Sequence, residues 1–195
     1  YRMAPEHVYS AVVTDSYDAV VWAAAHMSDL NGNGKLGVAG ESAGGNLSAV
    51  MALKARDEGG PDIHFQCLLY PVTDIDMTRQ SYTDNGAGYI LETPAMQWFW
   101  ETYCPDPEQR KEPYATPLNA DSLAGLPPAL VVTAEFDPLR DEGKAYADAL
   151  ATAGNKATYA CYDGMVHDFF AMAAVFPSAR QGLLETIDAL RAHLN

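Results

Sequence analysis

The sequence predicts an α/β protein, with a mostly parallel sheet flanked by helices. Two observations carry the prediction. Short apolar runs rich in β-formers recur along the chain, each too brief and too uniformly apolar for a strand with one face in water. Longer stretches with helical spacing lie between them, and such alternation implies parallel strands joined by right-handed crossovers. With 195 residues, 48% of them hydrophobic and 19% charged, the chain fits one globular domain and excludes disorder.

The elements follow in order. Strands are expected at Lys35–Gly40, His64–Tyr70, Ala129–Ala134 and Ala157–Tyr162. A helix from about Ala11 to Met27 places Val13, Tyr17, Val20 and Ala24 on one face. A second, Ala43 to Glu58, is stopped by Gly59, Gly60 and Pro61. A third runs from about Glu142 to Ala153, with Gly154 available as its cap. The last, about Ser178 to Leu194, spaces Leu183, Ile187, Leu190 and Leu194 along one stripe.

One segment breaks the alternation. From about Met77 to Leu126 the strand pattern stops, and TPAMQWFWETYC forms an aromatic helix. Thr93 is suited to cap it and Pro94 to its first turn. Trp98, Phe99 and Trp100 cannot all face one core, so the helix either packs on two sides or roofs an apolar pocket.

Twelve basic against twenty-six acidic residues give a net charge of −14, which argues against nucleic acid or an anionic membrane as partner. No apolar run reaches the roughly 18 residues needed to span a membrane. Cys67, Cys104 and Cys161 are odd in number and form no CxxC pair, so buried reduced thiols are expected, with no metal site and a cytoplasmic location. DLNGNGK, from Asp29, begins like a calcium loop, but its twelfth position is Gly40 and it runs into a strand; a turn is expected.

GVAGESAGGN, residues 37–46, sets one serine where a strand ends and a helix begins. Gly40-Glu41-Ser42-Ala43-Gly44 is GxSxG, a pattern in which a sharp bend lifts the hydroxyl clear of the sheet and bulky residues two positions either side would clash. The helix that follows offers free N–H groups, and that of Ala43 is placed to stabilise an oxyanion.

Such a serine needs a base and an orienting acid, in the chain order Ser, Asp, His. Of five histidines, His7, His26, His64 and His193 precede the acid region or sit in helical or strand-edge patterns, whereas His167 comes just after the last strand and its Gly164 bend. Asp137 comes directly after ALVVTAEF, at the carboxyl end of a strand, where sites in open α/β sheets gather. Asp141, Asp163 and Asp168 compete with it as the acid.

YRMAPEH at Tyr1, GESAGGN at the elbow, DPLRDEG at Asp137 and GMVHDFF at Gly164 resemble the motifs of bacterial hormone-sensitive-lipase-like esterases of the α/β-hydrolase fold. The resemblance implies Ser42 as nucleophile, His167 as base, Asp137 as its orienting acid and Ala43 as one oxyanion donor. It implies a helical cap insertion over 77–126, and pocket residues that include Glu41, Trp98, Phe99, Trp100 and Val166. It further implies short- to medium-chain carboxylic ester substrates, no cofactor or metal, and a homodimer through the last strand and C-terminal helix. Glu41 stands where the commonest motif has aspartate. The family's HGGG loop precedes a YRMAPEH-like stretch and is not found in these residues, so the chain reads as the C-terminal part of such an esterase, without the first strands and half the cap. A related amidase or peptidase, or a non-catalytic binding protein on the same fold, are the alternatives; the binding protein would be expected to lose a triad member.

Overall fold

The computed structural model describes residues 1–195. Four parallel strands form one sheet in the order β1-β2-β3-β4: Gly37–Glu41, Phe65–Leu69, Ala129–Phe136 and Ala157–Val166. The sheet is parallel throughout, as the alternation predicts. Two strands are longer than expected, because β3 and β4 pair on through an irregularity at Ala134–Phe136 until Phe136 meets Val166.

Alternate strand residues are apolar on both faces, and each face has its own helices. Leu68, Ala129 and Val131 pack against Ala49, Ala52 and Leu53 of α2 (Ala43–Glu58) and Tyr146, Ala147 and Leu150 of α5 (Arg140–Thr152). Phe65, Cys67, Leu69, Leu130 and Val132 point the other way, toward Phe169, Phe170 and α6 (Pro177–Leu194). Burying both faces explains why these strands read as continuous apolar runs. At about 25 cal/mol per Å² of apolar surface, such burial is the main favourable term holding the layers together.

Helix α1 (Ala11–Ala25) buries Val12, Val13 and Tyr17 against α2, close to the expected face. Helix α2 starts and ends where the sequence indicates, closed by Gly59 in the left-handed conformation at φ 62°. The expected stripe of α6 holds at Leu190 and Leu194, which pack against the core, but not at Leu183. The buried residues of the helix are Ala179, Gly182 and Thr186, while Leu183 and Leu184 face outward. The cause is close approach: a Cβ on Gly182 would stand 3.0 Å from the rings of both Phe170 and Tyr162, so small residues occupy the contact and leucines do not.

Between β2 and β3 the chain forms α3 (Gln80–Asn85), α4 (Thr93–Tyr103) and two short 3₁₀ turns. Leu123 and Leu126, at the end of this stretch, belong to the α2–α5 core. The expected cap on α4 differs too: Glu92, and not Thr93, is the N-cap residue. Cys67 and Cys104 are buried, but Cys161 is exposed, because β4 is an edge strand with water on one side. Residues after Asp29 form turns that lead into β1, with Asn33 accepting the Lys35 N–H at 3.0 Å. No helix is long and apolar enough to cross a membrane.

Candidate active site

Ser42 occupies the junction of β1 and α2 at φ 54° and ψ −116°, a backbone conformation costly for a side-chain-bearing residue. The turn is held from both directions. Ser42 N–H donates to the Leu69 carbonyl at 2.9 Å, and Val72 N–H donates to the Ser42 carbonyl at 3.4 Å. The two flanking glycines differ in their demands. A Cβ on Gly40 would lie 2.2 Å from the Gly44 carbonyl oxygen, whereas a Cβ on Gly44 would meet nothing within 4 Å. The expected clash on both sides is thus confined to Gly40, with Gly45 also tight, its Cβ position being 2.9 Å from Pro71.

Asp137 follows β3 directly and is fully buried. Its Oδ1 accepts the Leu139 N–H at 2.9 Å, which leaves Oδ2 to face His167. His167 follows β4, beyond Gly164 at φ 74°, and its Nδ1 lies 2.7 Å from Asp137 Oδ2. Its Nε2 lies 3.0 Å from Ser42 Oγ. With Nδ1 donating to the carboxylate, Nε2 is left as the acceptor for the serine hydroxyl.

The rival acids are placed elsewhere. Asp141 lies in α5, accepting the Ser81 N–H at 2.8 Å; Asp163 is exposed on β4; Asp168 sits at φ 61° just after His167. No group of three or more His, Cys, Asp or Glu side chains is placed to hold a metal ion.

A cleft of about 350 Å³ opens beside Ser42 and Ala43. Trp98, Phe99 and Trp100 all line it, whereas Glu41 and Val166 do not. Helix α4 resolves its aromatic crowding by splitting it. Met96 and Trp100 are buried in the core shared with α1 and α2, while Trp98 and Phe99 stand 60% and 49% exposed at the cleft. Ala43 is exposed at the first position of α2, where helical N–H groups have no intrahelical partner.

Sequence reasoning missed two residues here. Asn46, also on the cleft, donates to the carbonyls of Val72 and Ala115, both at 2.9 Å, fixing the floor. Tyr70 ends the β2 run at φ 37°, fully buried, with its ring set edge-on to the His167 imidazole at 5.0 Å. Burial, then the charges of Glu41 and Asp168, push its phenol pKa up, so the group is neutral. Its one sequence signal is an aromatic residue closing the strand beside the serine strand.

A family profile described as the alpha/beta hydrolase fold matches residues 1–171. The chain belongs to the hormone-sensitive-lipase-like α/β-hydrolases. It is similar to carboxylic ester hydrolase LipN of Mycobacterium tuberculosis, 44% identical over 202 residues covering 100% of this chain and 54% of that protein. Carboxylesterase NlhH of the same organism is 41% identical over 200 residues, covering 100% of this chain and 62% of that protein. The crystal structure of a thermostable esterase from Pseudomonas putida superposes with a TM-score of 0.97 at 44% identity, covering 100% of this α/β-hydrolase chain and 63% of that one. The chain therefore spans between 54% and 63% of the length of these relatives.

Proposed function

We propose that this α/β-hydrolase is a serine carboxylesterase that cleaves short- to medium-chain carboxylic esters through an acyl-enzyme. The observation that carries the reading is the hydrogen-bonded chain from Ser42 Oγ through His167 to Asp137, at 3.0 and 2.7 Å. Ser42 Oγ attacks the ester carbonyl carbon while His167 Nε2 takes its proton. The C–O bond to the alcohol then breaks, and His167 returns the proton to the leaving alkoxide. Water, deprotonated by His167, attacks the acyl-enzyme and releases the acid, restoring Ser42. Asp137, accepting from Nδ1, holds the imidazole tautomer and stabilises the imidazolium. Ala43 N–H stabilises the developing oxyanion.

The substrate range is supported by the cleft, whose volume of about 350 Å³ and aromatic wall suit a small apolar acyl group. The names carried by the relatives, carboxylic ester hydrolase, carboxylesterase and esterase, point to the same bond. In this reading the stretch 77–126 acts as a cap, with Trp98, Phe99 and Trp100 as its pocket wall. The test is turnover of matched ester and amide substrates together with labelling by a fluorophosphonate. Ester turnover lost in Ser42→Ala, with labelling lost as well, is expected; labelling that persists in Ser42→Ala would remove the nucleophile from this reading.

A further inference from the structure

Glu142 is a buried carboxyl that takes no part in the Ser42–His167–Asp137 chain. It lies in the first turn of α5 with no exposed surface. Its Oε1 accepts the backbone N–H groups of Thr73 at 2.8 Å and Asp74 at 3.2 Å, and its Oε2 accepts the Tyr82 hydroxyl at 3.2 Å. The Thr73 hydroxyl donates back to the Glu142 carbonyl at 2.9 Å. The side chain therefore fastens the loop after β2 to the start of α5.

Both ends of this fastening continue to the reacting groups. On the loop side, Val72 lines the cleft, donates its N–H to the Ser42 carbonyl at 3.4 Å and accepts from Asn46 at 2.9 Å. On the helix side, Asp137 Oδ1 accepts the Leu139 N–H at 2.9 Å, and its carbonyl accepts the Arg140 N–H at 3.1 Å. The turn that aims the Asp137 carboxylate is thus the same turn from which Glu142 reaches the loop behind Ser42. Gly143 lets the two surfaces close, since a Cβ there would lie 2.8 Å from Thr133 Cγ2 and 3.6 Å from Pro71 Cδ.

We infer that Glu142 is a positioning residue, which sets the separation between the Ser42 turn and the Asp137 turn by clamping residues 72–74 onto α5. The inference rests on the serine esterase reading. The charged and titratable groups around it are Asp74 on the loop, Arg79 paired with Asp74, and Tyr82 on α3. Removing the carboxyl would leave two backbone N–H groups and a phenol hydroxyl buried without an acceptor. The loop would shift to find one, carrying Val72 and the Ser42 turn with it. A displacement of about 1 Å at a reacting centre costs on the order of 10²-fold in rate.

The experiment compares wild type, Glu142→Ala, Glu142→Gln and Ser42→Ala in the full-length natural protein. It measures kcat and KM for p-nitrophenyl butyrate per active site titrated with a fluorophosphonate. Glu142→Ala is expected to lower kcat about 10- to 100-fold, a larger change than in KM, because the displaced Ser42 turn bears on the reacting atoms while Val72 is one wall residue of the cleft among many. Glu142→Gln keeps an oxygen for the two N–H groups and is expected to recover kcat to within about threefold of wild type. Wild-type kcat per titrated site in Glu142→Ala, or a Glu142→Gln as impaired as Glu142→Ala, would overturn the inference. If Glu142→Ala gives no folded protein, Glu142→Asp decides, since it retracts the acceptor by one methylene. Unchanged kcat there is again an overturning result. Turnover that survives in Ser42→Ala would instead sink the esterase reading, whatever Glu142 does.

Discussion

Ser42 Oγ and His167 Nε2 lie 3.0 Å apart although 125 positions separate the two residues in the chain. The contact exists because both residues follow directly on the carboxyl ends of parallel strands, β1 and β4, and all parallel strands end on one side of the sheet. Asp137, just after β3, arrives on that side for the same reason.

Replacing members of this chain should therefore have unequal but large effects on ester turnover. Ser42→Ala and His167→Ala should each lower kcat by about 10⁶, and Asp137→Asn by about 10⁴, through the wrong imidazole tautomer. Steady-state kinetics on a p-nitrophenyl ester check this. A nearly silent Asp137→Asn beside a severe Asp163→Asn would reassign the acid.

The two glycines of the serine motif should respond in opposite ways. Gly40→Ala drives a methyl group to 2.2 Å from backbone at Gly44, so the Ser42 turn must move and activity should fall at least about 10²-fold. Gly44→Ala meets open space within α2 and should be stabilising by up to about 1 kcal/mol. Thermal denaturation and kinetics on both variants decide; equal damage at the two positions would contradict the geometry.

Helix α4 should separate stability from selectivity along its own length. Trp100→Ala empties a core position and should cost about 3–5 kcal/mol of stability. Trp98→Ala and Phe99→Ala, exposed on the cleft, should change stability little and shift relative kcat/KM between short and medium acyl chains by about 1–3 kcal/mol. An acyl-length profile identical to wild type in both exposed variants would leave α4 a purely structural helix.

Glu142 also gives stability a pH dependence. Burial pushes its carboxyl up to about 8, outweighing the N–H bonds from Thr73 and Asp74, which pull it down. A raised folded-state value means the folded chain keeps a proton that the unfolded chain gives up. Stability from this group is therefore complete below the unfolded value of about 4.5 and declines as pH rises toward 8. Chemical denaturation at pH 5 and pH 8 should show a smaller pH difference in Glu142→Gln than in wild type. The same slope in both would assign the dependence to other groups.

The edge at β4 is the face on which a second copy is expected to pair. Beside it, α6 and the turn before it leave Val175, Phe176 and Leu184 exposed at 74%, 44% and 56%. Light scattering on the full-length protein should give a dimer that Leu184→Glu dissociates. A mass unchanged by Leu184→Glu would exclude this face.

Much of this was written locally in the chain. Apolar runs marked all four strands. In β2 and β3 the reason is burial on both faces, which needs no polar alternation, whereas β4 is an apolar run with exposed positions at the sheet edge. Gly59 ended α2 because only a residue free of Cβ strain readily takes φ 62°. GxSxG at a strand end placed Ser42, and chain order pointed to His167.

What only the tertiary structure decided depends on distances between segments remote in sequence. Position at the end of a strand pointed to Asp137 over Asp141, Asp163 and Asp168, but local pattern does not give the distance at which a carboxylate meets His167. The length of β3, the Leu139 N–H and the end of β4 together bring Asp137 Oδ2 to 2.7 Å. The outward turn of Leu183 followed from the rings of Phe170 and Tyr162 filling the space beside Gly182. Glu142 lies within DPLRDEG and Tyr70 closes a strand run, but neither signal tells what each side chain meets, because their surroundings are made by chain segments that only folding brings together. Periodicity records which face of an element is buried; which neighbour buries it is fixed by packing across the sheet.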